Sequence, residues 1–228
     1  RSTLVFVTAM SMFAEESSYK KPQKAVLDVL NAPLPPVLMV SPAKTHAFVL
    51  QPVRYPSIAD LSQPMLRLAG VRINPLTSGP HSAREVEAFS IKRLADNTDL
   101  PVMLPAGAKL GTPRWSPDGA RFAFLNTLPA SIELWIGETA TGKTRRVEGI
   151  RVNDVLGLPV RWMGDSKTLL VQTVPAGRGA APAKPQAPAG PKVQESAGRA
   201  AGIWTNPDAL TGPHDEELFQ YHATVQLV

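Results

Sequence analysis

Ser116-Pro117-Asp118-Gly119-Ala120-Arg121-Phe122-Ala123-Phe124-Leu125 is the stretch that decides the fold, because it predicts a tight turn followed at once by an apolar strand. Residues 41–50 repeat it without a gap, and residues 161–171 repeat it again with the Arg-Trp pair, the Asp and the apolar run retained. Turn-and-strand units recurring at roughly 40 to 50 residues are typical of β-propeller blades, since one small sheet cannot bury its own face. The repeats stop early, so the sequence predicts the first few blades of an incomplete propeller.

The rest of the chain also reads mostly as strands. One short helix is predicted over 22–30, where Pro22 suits a first helical turn and apolar residues follow at helical spacing. The Pro-rich residues 31–36 end it. No long amphipathic helix alternates with the strands, which favours an all-β array over a parallel α/β sheet. The predicted strands cover residues 37–40, 47–53, 86–94, 121–125, 133–136, 144–147, 168–174 and 224–228.

Three segments are predicted along the chain. Residues 1–18 have the short apolar core of a signal peptide, which predicts export to the periplasm or secretion, with a cytoplasmic protein as the alternative. The apolar run is too short to span a bilayer as a helix. Residues 19–36 form the helix and a Pro-rich entry, and residues 37–228 form the partial propeller. Within it, residues 175–192 are rich in Pro and Ala and predict either a long loop within the propeller or an interdomain tether.

Composition excludes several function classes. Hydrophobic residues make up 43% of the 228 residues, which excludes a wholly disordered chain. The net charge is +5, but the basic residues are scattered and no run interleaves them with aromatics, so nucleic acid is not expected as a partner. The chain has no cysteine, which excludes a disulfide framework, a thiol nucleophile and a cysteine-ligated metal.

One motif points to nucleotide binding. Residues Gly137-Glu138-Thr139-Ala140-Thr141-Gly142-Lys143-Thr144 match the phosphate-binding loop G-x-x-x-x-G-K-[ST] in every position. Such a loop needs a helix after it, whose N–H groups hold the phosphates. Residues 145–152 are β-branched and interrupted by Gly149, so a hairpin turn with Gly142 at positive φ is the favoured interpretation and a P-loop is a distant third function.

Other residues that could carry chemistry have simpler explanations. His214-Asp215-Glu216-Glu217 could suggest metal ligands, yet adjacent residues cannot converge on one ion unaided, and a solvated acidic turn is favoured. His46, His81 and His222 have no partner at a recognisable spacing, and His46 is expected at the surface. Trp115 and Trp162 occupy equivalent places in two repeats and predict packing between blades.

No catalytic, cofactor-binding or metal-binding residue is assigned. A hydrolase with an exposed serine nucleophile would show G-x-S-x-G between a strand and a helix. The nearest stretch is Gln194-Glu195-Ser196-Ala197-Gly198, which lacks the first glycine and follows the Pro-rich loop. The sequence therefore offers no nucleophile elbow and predicts a chain without activity of its own.

Several stretches resemble the amino-terminal region of the glutamyl endopeptidases, in the prolyl oligopeptidase family of serine peptidases. The most specific are Leu66-Arg67-Leu68-Ala69-Gly70-Val71-Arg72-Ile73-Asn74 and the Pro-rich loop that ends Gly190-Pro191-Lys192. The resemblance continues through residues 19–22, 32–36, 115–119, 134–136, 168–171, 178–179 and 217–221. It implies a β-propeller that precedes an α/β-hydrolase domain carrying Ser, Asp and His, and that hydrolase domain is absent from this chain.

Two functions of different classes follow as hypotheses. The first is the propeller portion of a serine peptidase, which gates and positions peptide substrates for the hydrolase domain. The second is a non-catalytic, propeller-like module that binds a protein partner through its loops. Neither requires a cofactor.

Overall fold

The computed structural model describes residues 21–82, 85–185, 198 and 208–228. The chain divides into two compact units, residues 1–33 and 34–228. The first contains helix α1 (Lys24–Leu30), which confirms the predicted helix, and its Lys24 pairs with Asp28 one turn later at 2.6 Å. The second contains short strands and two further helices, α2 (Ile58–Leu61) and α3 (Pro213–Ala223). Most of its regular structure is β-strand, as the sequence predicts.

Fourteen strands are defined in the described residues. They are β1 (Val37–Val40), β2 (His46–Pro52), β3 (Leu66–Leu68), β4 (Val71–Asn74), β5 (Gly79–Pro80), β6 (Val86–Arg93), β7 (Asp99–Pro101), β8 (Arg114–Trp115), β9 (Arg121–Leu128), β10 (Ser131–Glu138), β11 (Thr144–Arg146), β12 (Val160–Trp162), β13 (Leu169–Thr173) and β14 (Gln226–Leu227).

The strands form four antiparallel sheets. The first sheet has the order β1-β2-β6-β7, the second β11-β10-β9-β8 and the third β12-β13-β14. A small sheet, β3-β4-β5, is inserted between β2 and β6 of the first sheet. This insertion explains why the first two sequence repeats lie further apart than the last two. The first two sheets are linked through Leu110, which forms backbone bridges to Val86 of β6 and Asn126 of β9.

The three sequence repeats fold into three equivalent turns. Each turn joins the first two strands of a sheet, and in each the first residue bonds both across the turn and within it. Ser41 N–H donates to His46 O and Ser116 N–H to Arg121 O, both at 2.8 Å, and Met163 N–H donates to Thr168 O at 2.9 Å. The fourth residue of every turn has positive φ, at 56° for Lys44, 71° for Gly119 and 57° for Ser166. The repeat read from the sequence is therefore a structural repeat.

Aspartates brace the second and third turns. Asp118 accepts hydrogen bonds from Ser116 Oγ at 2.6 Å and Ala120 N–H at 2.9 Å. Asp165 accepts from Thr168 Oγ1 at 2.6 Å and from the N–H groups of Lys167 and Thr168, and these bonds lower the pKa of Asp165 to about 2. Such bonds from an Asp to the backbone two residues on are a common way to fix a tight turn.

Tryptophans join each sheet to the one before it. Trp115 Nε1–H donates to Met39 O of the first sheet, and Trp162 Nε1–H donates to Arg114 O of the second, both at 3.2 Å. The two acceptors are equivalent, because each lies two residues before the first residue of its turn. The same contact thus recurs from the first sheet to the second and from the second to the third. This agrees with the packing role expected for both tryptophans.

Two apolar clusters lie between the sheets. The aromatic cluster, between the first and second sheets, contains the buried rings of Phe48, Phe89, Phe122 and Phe124. Phe48 stacks on Trp115, and Phe122 meets Phe48 edge to face with centroids 5.3 Å apart. A second, aliphatic cluster lies between the second and third sheets and includes Ala123, Leu134, Val160 and Val171. Successive side chains of β9 point to opposite faces of its sheet, so Phe122 and Phe124 lie in the aromatic cluster and Ala123 lies in the aliphatic cluster.

The small sheet and helix α3 pack together into an accessory layer, here defined as β3, β4, β5 and α3. Leu68 and Ile73 of the small sheet are buried against Val155, and Leu218 and Phe219 of α3 pack on them. Asp208, just before α3, accepts a hydrogen bond from Arg72 Nε at 3.0 Å and from the N–H of Gly70 at 2.9 Å. Helix α3 has no counterpart in the sequence predictions, and the strand predicted over 224–228 is shortened to β14 because Thr224 caps α3 through its N–H to Gln220 O.

Replacing Gly142 by alanine is expected to lower the free energy of unfolding by about 2 kcal/mol. Gly142 has a φ of 66°, and a methyl group on it would meet the carbonyl group of Pro101. Gly149 is the matched control, since it has a φ of 72° but nothing within 4 Å of the added methyl. Its alanine variant should cost only about 1 kcal/mol. Urea unfolding of both variants measures the difference, and equal costs would exclude the contact with Pro101.

Candidate functional site

The motif that resembles a phosphate-binding loop is part of a β-hairpin. Gly137 lies in β10, Thr144 begins β11, and Gly142 provides the positive φ of the turn between them. Thr144 therefore does not begin a helix, and no helix amino terminus is present to hold phosphates. The favoured hairpin interpretation is confirmed, and the geometry that a P-loop requires is lacking.

The acidic residues His214–Glu217 are helical. They form the first turn of α3, after Pro213, where Asp215 accepts a hydrogen bond from Thr211 N–H at 2.8 Å. Negative charge near a helix amino terminus is favourable. The sequence analysis predicted a solvated acidic turn for these four residues. The structure corrects this prediction, because they begin a helix. Over the described ranges, no group of three His, Asp or Glu side chains is placed to hold a metal ion.

The remaining histidines lie in three different settings. His46 begins β2, is half-buried rather than fully at the surface, and its Nδ1 lies 3.0 Å from Thr45 Oγ1. His81 Nε2 lies 3.0 Å from Gln63 O. His222 is buried near the end of α3, beside the ring of Tyr221. The fold brings none of these three rings next to another.

In the described part of the chain one serine hydroxyl lies next to a histidine ring. Ser82 Oγ lies 3.2 Å from His81 Nδ1, but the other ring nitrogen of His81 faces the carbonyl oxygen of Gln63, where a catalytic triad has a carboxylate. The two residues are also adjacent in sequence. Most of the stretch 194–198, considered above as a nucleophile elbow, lies outside the described residues, as does the signal-peptide-like lead 1–18.

A cavity, here called the first cavity, lies between the second and third sheets and the segment around Pro80 and Glu85. It has a volume of about 470 Å³, and its apolar wall includes Leu110, Phe124 and Val160. Its charged residues are Glu85, Arg114 and Asp154. Strands and connections together build this cavity, because Phe124 lies in β9 and Val160 in β12, whereas Leu110 precedes the second sheet and Asp154 precedes the third.

Two carboxyl groups in the cavity have raised pKa values. Burial raises the pKa of Asp154 to about 6, against the opposing effect of the Arg114 charge. Asp154 Oδ1 is buried without a hydrogen-bond partner in the described part of the chain. Burial also raises the pKa of Glu85, although Lys109 opposes the shift. The arrangement offers carboxyl groups that exchange protons closer to neutral pH than usual, in a cavity with mostly apolar walls.

Sequence reasoning did not find these residues. Asp154 stands alone in the stretch 152–158, with no neighbour at a spacing that would indicate a site. Its environment depends on Ser78, whose carbonyl oxygen accepts from Asp154 N–H at 2.8 Å. Only folding brings these segments together, so no local signal could have identified the cavity.

Known proteins similar to this chain are plant peptidases. The chain is 33% identical to a protein named probable glutamyl endopeptidase, chloroplastic, from Oryza sativa, over 92% of this chain and 24% of the relative. It is 31% identical to the protein of the same name from Arabidopsis thaliana, over 93% of this chain and 23% of the relative. The chain thus spans about a quarter of the length of these curated relatives. No family model matches the sequence.

Structural neighbours include two further peptidases. A Pyrococcus horikoshii acylaminoacyl peptidase aligns with 60% of this chain and 17% of its own, at a TM-score of 0.32 and 18% identity. A putative dipeptidyl aminopeptidase IV from Bacteroides ovatus aligns with 60% of this chain and 20% of its own, at 0.36 and 14%. None of the helices in the described residues is long and apolar enough to cross a membrane.

The curated relatives support a resemblance to the amino-terminal portion of serine peptidases in the prolyl oligopeptidase family. Within that family it is similar to the amino-terminal portion of the glutamyl endopeptidases, which confirms the resemblance seen in the sequence.

Proposed function

We propose that this chain is the opening part of a β-propeller in a serine peptidase, and that it gates and positions peptides for an α/β-hydrolase domain of the same polypeptide. The observation that carries this proposal is the repeated geometry of the three sheets. Each sheet begins with the same turn, and Trp115 and Trp162 make the same bond to the preceding sheet. A unit repeated with a constant contact to its neighbour is how a propeller is built.

The gating role rests on the position of the first cavity. Part of its wall comes from the connections between sheets, where Leu110 precedes the second sheet and Asp154 precedes the third, and Arg114 begins β8 of the second sheet. In a propeller such connections surround one end of the central channel. A peptide that passes this end would meet a narrow, mostly apolar opening with a few charges, which selects extended chains over folded ones.

The chemistry would be supplied by the hydrolase domain. There a serine would attack the scissile carbonyl, with a histidine as base and backbone donors to stabilise the oxyanion. In the described residues of this chain the one hydrogen bond recorded between a serine hydroxyl and a histidine ring joins Ser82 and His81, and that ring has no carboxylate partner. We therefore expect the 228-residue chain to be inactive alone.

Activity-based labelling tests this proposal. A fluorophosphonate probe should label a polypeptide that contains the hydrolase domain and should not label the 228-residue chain, and peptide hydrolysis should follow the same pattern. Ser82→Ala is the matched control, because it removes the serine that contacts His81. Labelling of the chain that is lost in S82A would show a nucleophile in the propeller part and contradict the proposal.

A non-catalytic binding module is the second candidate. It is favoured by the cavity and by the absence of a complete triad from the described residues. The coding sequence beyond Val228 separates the two: a downstream G-x-S-x-G followed by Asp and His supports the peptidase, and a stop codon supports the module.

Export to the periplasm or outside the cell remains part of the proposal. It rests on the apolar run of residues 4–14, which is short enough for a signal peptide. The two curated relatives carry the word chloroplastic in their names. Sequencing the amino terminus of the protein isolated from its cells tests the idea, since retention of residues 1–14 would contradict cleavage after Ala14.

A further inference from the structure

The first cavity contains a carboxylate oxygen that has no partner. Asp154 Oδ1 is the one buried side-chain atom of the lining that lacks a hydrogen-bond partner within the described residues. A buried polar atom without a partner is unusual in a native fold and calls for an explanation such as a missing ligand. Above about pH 6 the carboxyl is ionised and can only accept hydrogen bonds. The group that is missing is therefore a donor.

The main chain that carries this carboxylate is held in place. Asp154 N–H donates to Ser78 O at 2.8 Å, and Gly157 N–H donates to Asp154 O at 3.4 Å. The preceding residue, Asn153, is only 1% exposed, and its Nδ2 donates to His222 O at 2.9 Å. A group mounted on a fixed backbone loses less freedom when it binds a ligand, which favours binding at this position.

The first cavity holds more negative than positive charge. Its lining has two carboxyl groups, on Glu85 and Asp154, and one guanidinium, on Arg114, which is exposed at the start of β8. Within the described ranges neither carboxyl forms an ion pair. Lys109, whose charge acts on Glu85, forms its own ion pair with Asp60. The lining therefore has an excess of negative charge when both carboxyls are ionised.

The pKa values of the two carboxyls agree with this lack of compensation. Burial raises the pKa of Asp154 to about 6 against the charge of Arg114, and it raises the pKa of Glu85 against the charge of Lys109. In both cases the loss of hydration outweighs the nearest positive charge. A cation that entered the cavity would offset part of this cost, so the ionised carboxyls favour a cationic ligand.

The walls of the first cavity are mostly apolar. Leu110 is 0% exposed, Leu134 1% and Phe124 2%, and the volume of about 470 Å³ is enough for one long side chain. A carboxylate behind apolar walls suits a ligand in which an aliphatic chain carries the charge at its end. The main chain of a peptide suits these walls less well, because its amide groups would lose their hydrogen bonds to water.

We propose that the first cavity binds the side chain of a lysine, with the ammonium group donating to Asp154 Oδ1 and the methylene groups against the apolar wall. An ammonium is a compact charge with three donors and matches a single free oxygen, whereas a guanidinium prefers two parallel acceptors. In the part of the chain that the structure describes, no three His, Asp or Glu side chains are placed to hold a metal ion instead. The cation site rests on the residues alone, and the choice of a peptide lysine rests on the proposed function.

Titration calorimetry of the 228-residue chain tests the proposal. The probe is Nα-acetyl-lysine amide, and the matched ligand is Nα-acetyl-norleucine amide, which has the same aliphatic chain without the ammonium. The lysine compound should bind about tenfold or more tightly. Asp154→Asn should weaken its binding about tenfold or more, and Glu85→Gln by about two- to fivefold. Asp99→Asn is the control and should leave the affinity unchanged, since Asp99 is 65% exposed and pairs with Lys92 outside this cavity.

The Asp154→Asn variant is a suitable test because removing a buried charge should not unfold the chain. Circular dichroism confirms that each variant is folded before it is titrated. Asp154→Glu keeps the charge at a displaced position, so it should recover part of the binding that Asp154→Asn loses. Equal binding of the two acetylated amides, or unchanged affinity in folded D154N, would overturn the site.

Two further ligands distinguish the sources of positive charge. Norleucine amide carries its ammonium at the amino terminus, and its binding as tightly as the lysine compound would overturn the assignment to a lysine side chain. Calcium chloride that binds the wild-type chain as tightly, but not D154N, would overturn it as well. None of these results depends on fluorophosphonate labelling. Failure of the lysine site and failure of the peptidase proposal can therefore be distinguished.

Discussion

Phe122→Ala should lower the free energy of unfolding by about 3–5 kcal/mol. Phe122 is 0% exposed at the centre of the aromatic cluster, with Phe48, Phe89 and Trp115 around its ring. Removing the ring takes away contacts that hold the first and second sheets together, and the fixed strands on either side cannot close the space. Urea unfolding followed by tryptophan fluorescence measures the loss. Tyr55→Ala, at a side chain that is 65% exposed, should change stability by less than about 0.5 kcal/mol.

Gly137→Ala provides a second test of the packing around Phe122. Gly137 lies beside the Phe122 ring, and a methyl group built on it would overlap that ring. Gly137→Ala should therefore destabilise the wild-type chain by about 1–3 kcal/mol. In the Phe122→Ala background the methyl group enters vacated space, so its cost should fall well below that value. Additive costs in the double variant would show that the two residues do not meet.

Asp154→Asn should raise the free energy of unfolding at pH 7 by about 1–3 kcal/mol. The folded pKa of about 6 lies above the ordinary value of 3.8, mainly because the carboxyl is buried. A group with a raised carboxyl pKa is destabilising when it is ionised. The penalty is absent below about pH 3.8, grows as pH rises, and is complete above about pH 6. Asparagine removes it at every pH.

The pH dependence separates this effect from a general change in packing. The gain from Asp154→Asn should be largest at about pH 7 to 8 and should shrink towards zero near about pH 4, measured as urea midpoints across the range. Arg114 is the charged residue in the same cavity that opposes the shift. Arg114→Gln should therefore enlarge the penalty in the wild-type chain and have less effect in the D154N background. A gain that is constant with pH would contradict the explanation.

The repeated turns could be predicted because each is encoded locally. Pro117, Asp118 and Gly119 favour a turn by their own backbone preferences, and the strand that follows is buried on both faces, as its continuous apolar run suggests. The short strands β8 and β12 were not predicted, since two or three residues carry no periodicity and their pairing depends on β9 and β13. Helix α3 was not predicted because its first turn is acidic and its apolar side, formed by Leu218 and Phe219, is short. These two side chains are buried only by packing within the accessory layer.

The two cavities were less predictable than the fold. A second cavity, of about 500 Å³ between the end of β13 and helix α3, is lined by Arg151, Arg178 and His222, which lie far apart in sequence. Arg178 and Tyr221 both fall in stretches that resemble the glutamyl endopeptidases, but nothing in those stretches indicates that they meet. Long-range contacts of this kind follow from tertiary structure, which local propensity does not encode.

The accessory layer can form only late in synthesis of the chain, because its two parts lie far apart in sequence. Arg72 and Asp208, which join its two parts, are separated by 136 positions in the chain. At roughly 5–20 residues per second, a ribosome needs on the order of 7–27 s to bridge that distance. During this interval Leu68 and Ile73 have emerged without the helix that later buries them. The nascent polypeptide thus exposes apolar side chains for many seconds. Exposed apolar surface promotes aggregation, which is why chaperones such as holdases are needed at this stage.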